Sequence, residues 1–255
     1  MATYKKRGSK KSITPSSRNE SVQESTTAEV FETLDTTASK TEEWVVKYQN
    51  IILTFIGIVA VSVLAYLGYQ NYVLEPKATE AISELNQAQF YFELAVNSED
   101  SDSLYKRALN GGEGKYGFLD IIENYEGTTA AKLATYSAGM SYLNIKDYQN
   151  AVTYLDQFNS EDVLLGALAK GAIGDAFAQM DQPDKALDYY VAAFNINNNV
   201  YSTPKFLYKA AMIGFKLGKN KQAIAYLERI KKEFKESREA NMVSVQIAKI
   251  KSIID

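Results

Sequence analysis

The chain has no cysteine and no histidine among its 255 residues, and a single tryptophan. Without cysteine there is no disulfide framework, thiol nucleophile or thiolate-held metal, and no cysteine to carry a lipoprotein's lipid. Without histidine the commonest general base and the commonest transition-metal ligand are gone. Neighbouring carboxylates do occur, Glu161 with Asp162 and Asp181 with Asp184, but they fall in turns or at helix starts, where capping is their ordinary use. The expectation is a chain with no catalytic residues, no cofactor and no metal. A strong excess of positive charge is also missing: the net charge is -3, so the folded part offers no electrostatic footprint for nucleic acid.

One long apolar run is present. From Ile51 to Tyr69 no residue is charged, and a helix of that length covers roughly 28 Å, close to the thickness of a bilayer's hydrocarbon core. Trp44 and Tyr48 precede it and Tyr66, Tyr69 and Tyr72 lie at its far end, where amphipathic rings favour the headgroup level. The run begins too far into the chain for a secretory signal and ends in Tyr, Gln and Asn rather than a small-residue cleavage site, so an uncleaved anchor over 44–74 is expected. Residues 1–43 are rich in Ser, Thr, Lys and Glu, a composition that buries too little apolar surface to offset chain entropy, and read as a disordered tail. Its "KKRGSKK" block serves as a topology signal or as a contact for anionic lipid or RNA. Lys and Arg concentrate before the span, which places the tail in the cytoplasm and the remainder outside.

Beyond the span, Pro76 suits a helix start, and Ala81, Leu85, Ala88 and Phe92 follow at helical spacing. The segment "NGGEGKYG" interrupts the pattern and contains a formal GxGxxG at Gly112, Gly114 and Gly117. A dinucleotide site needs a strand before those glycines, whereas a helical "LYKRALN" precedes them, so the reading here is an inter-helix loop. "GKYGFLDIIENYEGTT" then reads as the second helix of a degenerate repeat, with Phe118, Ile121, Ile122 and Tyr125 at helical spacing.

Self-similarity is the strongest signal. The segments "KLATYSAGMSYLNIKDYQNAVTYLDQF", "ALAKGAIGDAFAQMDQPDKALDYYVAAF" and "KFLYKAAMIGFKLGKNKQAIAYLERI" align when Ala151, Ala186 and Ala223 are set in register. Gly139, Gly174 and Ala211 then share one site, and Tyr142, Phe177 and Gly214 another three residues on. The pattern resembles the tetratricopeptide repeat, in which a small residue lets two helices approach, a large one fills between them and a second small one sits early in the second helix. The third repeat departs, with Gly214 in the large position, leaving Phe215 as a candidate to fill that volume. The fold class expected is all-α, one N-terminal transmembrane helix followed by a tetratricopeptide-repeat α-solenoid. Its parts are linking helices and a degenerate first repeat over 75–131, three repeats over 132–236 and a capping helix over 237–255, apolar on one side through Met242, Val245, Ile250 and Ile254.

In tetratricopeptide folds the first helices of successive pairs line a concave face. That resemblance puts Tyr136, Met140 and Leu143 there from the first clear repeat and Tyr208, Met212 and Phe215 from the third. Aromatic rings and adaptable Met suit a surface that accepts varied apolar segments. The alternative is a groove filled by the protein's own terminal helices. Family members that clamp a C-terminal carboxylate use Lys and Asn where Tyr136 and Met140 stand, so that activity does not carry over.

A basic tail, one anchor, "NYVLEPKATEA" and the repeats together resemble the bacterial YfgM family of ancillary Sec-translocon subunits. The resemblance implies a non-enzymatic protein of the bacterial inner membrane, single-pass, with a periplasmic C-terminal domain. It implies as partners the SecYEG translocon and a PpiD-like membrane chaperone, with lipid contacted through residues 51–69. The other reading is a general envelope scaffold for division, secretion or outer-membrane biogenesis. A mitochondrial import receptor would instead put the repeat domain in the cytosol.

Overall fold

The computed structural model describes residues 26–254, with side chains from 44 to 253. The "KKRGSKK" block therefore lies outside the described residues, as does the side chain of Ile254. Among the described residues the secondary structure is helical, apart from one isolated antiparallel bridge between Gly112 and Lys115. Contacts divide the chain after Tyr66 into two units, which are taken in turn.

Helix α1, Thr26–Tyr69, contains the apolar run and is long and apolar enough to cross a membrane. Its described residues reach back to Thr26, inside the stretch whose composition reads as a tail. Helix propagation explains this: extending an existing helix fixes one residue per hydrogen bond gained, whereas nucleation is the costly step. Within the run Thr54 Oγ1 donates to the Asn50 carbonyl at 2.7 Å and Ser62 Oγ to the Ile58 carbonyl at 2.8 Å. Both hydroxyls are thereby satisfied inside their own helix, as an apolar surrounding requires. Trp44, Tyr66, Tyr69 and Tyr72 are exposed and Tyr48 half-buried, its ring 5.4 Å from that of Trp44.

The second unit begins with a widened π-helical turn, Gln70–Leu74, followed by α2, Glu75–Val96. Pro76 sits in the first turn of α2 and has no N–H to give to the preceding turn, so the backbone pairing resets just ahead of it. Helix α2 buries Ala81, Leu85, Ala88, Tyr91 and Ala95 against α3, Ser101–Asn110, and against α4, Phe118–Asn124, and α5, Thr129–Asn144. Phe92 meets the rings of Tyr105 and Phe118 edge-on in the same cluster. The glycine-rich segment between α3 and α4 is a closed turn. Gly111 and Gly114 adopt φ of 75° and 74°, and Gly117 packs against the backbone of Gly111, where any side chain would collide. Thr128 then caps α5, accepting the Ala131 N–H at 3.1 Å.

Three helical hairpins follow. Helix α5 pairs with α6, Tyr148–Gln157; α7, Val163–Gln179, with α8, Pro183–Ile196; α9, Thr203–Lys216, with α10, Asn220–Glu233. Each hairpin turns by the same device. The first helix ends with Lys146, Asp181 or Gly218 in the left-handed region, at φ of 66°, 54° and 72°. The next N–H returns to a carbonyl five residues back: Asp147 to Tyr142, Gln182 to Phe177 and Lys219 to Gly214, at 2.8–2.9 Å. A recurring backbone motif thus stands behind three dissimilar turn sequences.

The helices of each hairpin cross closely where one residue is small. A methyl group added at Gly139 would lie 2.5 Å from Leu155 Cγ, and one at Gly174 would lie 2.7 Å from the Tyr190 ring. Ala211 and Leu227, both fully buried in one cluster, hold those places in the third hairpin. Ala151, Ala186 and Ala223 are likewise fully buried early in each second helix. Tyr142 stacks on Tyr154 and Phe177 on Tyr189, each at 5.3 Å between ring centres. Gly214 has no ring to offer, so Tyr226 turns to Phe194 instead, and α10 comes close enough that Ala223 Cβ is 3.7 Å from where a Gly214 methyl would be. The Phe215 ring lies 5.9 Å from Lys249 Nζ of the last helix.

That helix, α11, Ala240–Ile254, packs on α10 through Val243 and Ile250, both fully buried, with Ile247 beside them. Of the residues expected on one apolar side, Ile250 is buried, whereas Met242 and Val245 are exposed, Val245 to 68%. Met242 and Val245 lie on a different face of the helix from Val243 and Ile250.

Two pairs of substitutions test this architecture by urea unfolding. Gly171→Ala would drive its methyl into the Phe206 ring and is expected to destabilise by about 1–3 kcal/mol, whereas Gly214→Ala, with room for a methyl in mid-helix, is expected to stabilise by about 0.5–1 kcal/mol. Lys146→Gly, which removes a side chain from a left-handed position, is expected to stabilise by about 1 kcal/mol, while Lys→Gly at Lys132, within α5, should destabilise by a similar amount.

Candidate functional site

The six residues assigned to a groove by register fall into two groups. Tyr136, Met140 and Leu143 are half-buried on α5, packed against a cluster of Leu155, Ala169, Ala172 and Ile173, and the Tyr136 ring lies 5.2 Å from that of Phe158. Burial holds the Tyr136 phenol above its ordinary pKa. Tyr208, Met212 and Phe215 are half-buried on α9. The Tyr208 hydroxyl lies 3.9 Å from Met242 Sδ, so α11 borders this group. The same register in α7 gives Gly171, Asp175 and Ala178, which are small or charged where the flanking helices are large and apolar.

Between the two groups lies a cleft of about 480 Å³. Leu143, Asn144, Lys146 and Tyr148 line it from the first hairpin, Asp175, Ala178, Gln179 and Tyr190 from the second, and Lys209 from the third. At its wall Asp175 accepts a hydrogen bond from the Tyr190 hydroxyl at 2.7 Å and is ion-paired with Lys209. Burial, with the Asp175 carboxylate beside it, holds the Tyr190 phenol well above the usual tyrosine range, so it is a permanent donor. The carboxylate is thus engaged from two sides, and the cleft offers outward the exposed Lys146 ammonium, the amides of Asn144 and Gln179 and the apolar edges of Leu143 and Ala178. Such a mixture can receive an extended chain, pairing its backbone with amides and an acidic or polar side chain with Lys146.

Sequence reasoning missed Asp175, Tyr190 and Lys209. A signal was there: α7 reads "VLLGALAKGAIGDAFAQ", and Asp175 is its only acidic residue, within an apolar stretch where a carboxylate needs a partner. The carboxylates that sequence did single out have other uses. Asp162 caps α7 by accepting the Leu164 and Leu165 N–H groups at 2.8 and 3.1 Å. Asp181 and Asp184 pair with Lys216 and Lys219 of the next repeat at 2.7 and 3.1 Å, and the Lys216 bond holds the Asp181 carboxyl below its ordinary pKa.

No curated protein and no solved structure matches the chain. Residues 134–162 and 206–237 match the tetratricopeptide repeat family, which covers most of the first and third hairpins. The second hairpin, unmatched, has the same turn and the same close crossing. The chain therefore carries tetratricopeptide repeats within an all-α solenoid, a repeat type that serves protein–protein interaction.

Proposed function

We propose that this protein is a membrane-tethered tetratricopeptide adaptor that serves as an ancillary subunit of the bacterial Sec translocon, bridging SecYEG and a PpiD-like chaperone. The observation that carries this reading is the combination of one apolar helix able to span a bilayer with a repeat unit whose cleft is lined for chain binding. The YfgM-like order of tail, anchor, linking helix and repeats supplies the identity of the partners. In this reading Trp44, Tyr48, Tyr66, Tyr69 and Tyr72 mark the two interfaces, the N-terminus is cytoplasmic and the repeat unit is periplasmic. Its role is to receive or pass on chains as they emerge from the translocon, without covalent chemistry.

The cleft is the surface through which the repeat unit holds its partner. Met140 and Phe215 are half-buried against core clusters, so replacing them would disturb folding as well as binding. The exposed Lys146 and Gln179 are better probes.

In-cell crosslinking followed by purification in mild detergent and mass spectrometry is expected to recover SecY and a PpiD-like chaperone as the dominant partners. Recovery of a different envelope assembly would replace the translocon with that assembly. The double variant Lys146→Glu, Gln179→Glu is expected to keep its helical spectrum and to lose partner binding about tenfold, or ~1.4 kcal/mol. Unchanged binding would remove the cleft from the interface. Protease added to intact spheroplasts is expected to digest the repeat unit, and full protection there would reverse the orientation.

A further inference from the structure

The loop joining α8 to α9 holds two apolar side chains out in water. Tyr201 is 81% exposed and Val200 68%, yet the loop beneath them is tightly organised. Asn199 Oδ1 accepts the backbone N–H groups of Tyr201 and Ser202 at 2.9 and 2.8 Å, and its Nδ2 donates to Ser202 Oγ at 2.7 Å. Thr203 Oγ1 donates to the Asn197 carbonyl at 2.9 Å and accepts the Asn199 N–H at 3.0 Å, with Ser202 and Thr203 buried. The ordering entropy of this tip is spent before any contact is made, which is the condition for an anchor residue.

Beside the tip lies a cleft of about 700 Å³, walled by Val200, Tyr201, Lys232, Glu233, Lys235 and Glu236, with the buried Phe234 at its inner side. Over 231–238 the exposed Lys231, Lys232, Lys235 and Arg238 outnumber Glu233 and Glu236, and Glu233 is occupied by Arg229 at 3.0 Å. An aromatic ring and a branched aliphatic side chain framed by cations match an anionic lipid interface. The ring suits the headgroup level, the aliphatic group the upper acyl carbons and the ammonium groups the phosphates.

Size favours lipid over a protein partner. A stable protein interface buries on the order of 800 Å² on each side, more than two protruding side chains provide. A bilayer contact need not be strong when the chain is already held at the membrane, because the second contact is then intramolecular and acts at high effective concentration. We propose that the Val200–Tyr201 tip, with Lys231, Lys232 and Lys235, docks the repeat unit onto an anionic bilayer surface. The proposal rests on reading α1 as a membrane anchor.

The test uses the full chain carrying Trp44→Phe and Tyr201→Trp, so that position 201 holds its one indole. It is reconstituted into vesicles of phosphatidylcholine, or of equal parts phosphatidylcholine and phosphatidylglycerol, with acyl chains brominated near the headgroup. The expected result is a blue-shifted indole quenched several-fold more in the anionic vesicles, with the difference lost on adding Lys232→Glu and Lys235→Glu. An unquenched, water-exposed indole in chains that float with both vesicles would overturn the docking and leave the anchor intact. A blue shift that follows protein-to-lipid ratio rather than lipid charge would overturn it in favour of contact between copies. Failure to float with either vesicle would refute the anchor, and the docking with it.

Discussion

The close crossing of paired helices at a residue with little or no side chain is the constraint on which the repeat unit depends. At Gly139 and Gly174 the second helix presses Leu155 and Tyr190 into the space a methyl group would need, and Ala211 keeps the third crossing nearly as tight. A glycine inside a helix costs about 0.5–1 kcal/mol relative to alanine, and burying one large apolar side chain contributes roughly 1.5–3 kcal/mol, so the exchange favours the tight crossing. Once the crossing distance is fixed, the rest of the hairpin follows. The turn has room for only one short return, which is why Lys146 and Asp181 accept a left-handed backbone that Gly218 adopts freely.

Stacking one hairpin on the next is a separate problem, and charge takes part in it. Three lysines of the third hairpin, Lys209, Lys216 and Lys219, reach back to Asp175, Asp181 and Asp184 of the second, at sequence separations of 34, 35 and 35. The outer two pairs are exposed, where solvent screens most of their attraction. Their value lies in register: sliding one hairpin along the other would separate all three pairs at once and leave Asp175 beside Tyr190 without its cation. Apolar contacts such as Phe206 against Gly171 supply adhesion between the hairpins, and the charges select which adhesive arrangement is kept.

Legibility in the sequence followed the range of the interaction. The small positions Gly139, Gly174 and Ala211 were readable because each crossing recurs with the repeat and leaves the same residue type at the same place. The stacked partners Tyr154 and Tyr189 were not singled out, since an aromatic on a second helix declares its partner only when the hairpin closes. The helical backbone at 26–43 was not legible from composition, because it depends on propagation along α1 rather than on the residues there. The Asp175 network was half legible: an acid in an apolar helix demands a partner, but nothing in the order of residues says that Lys209 and Tyr190 supply it.

The exposed side of α11 follows from which of its faces a described helix packs against. Met242 stands 34 residues after Tyr208, so α11 occupies the place of a first helix in a further repeat. Counted the same way, Val245 falls where Ala211 sits, the position that a second helix covers in a complete hairpin. No described helix covers it, and a residue buried in the third repeat by its own partner is here left in water. Val243 and Ile250, facing back toward α10, are fully buried because that neighbour exists. In a stacked repeat each face is defined by the element packed on it, so the side of α11 that meets α10 is buried and the side bearing Val245 is not.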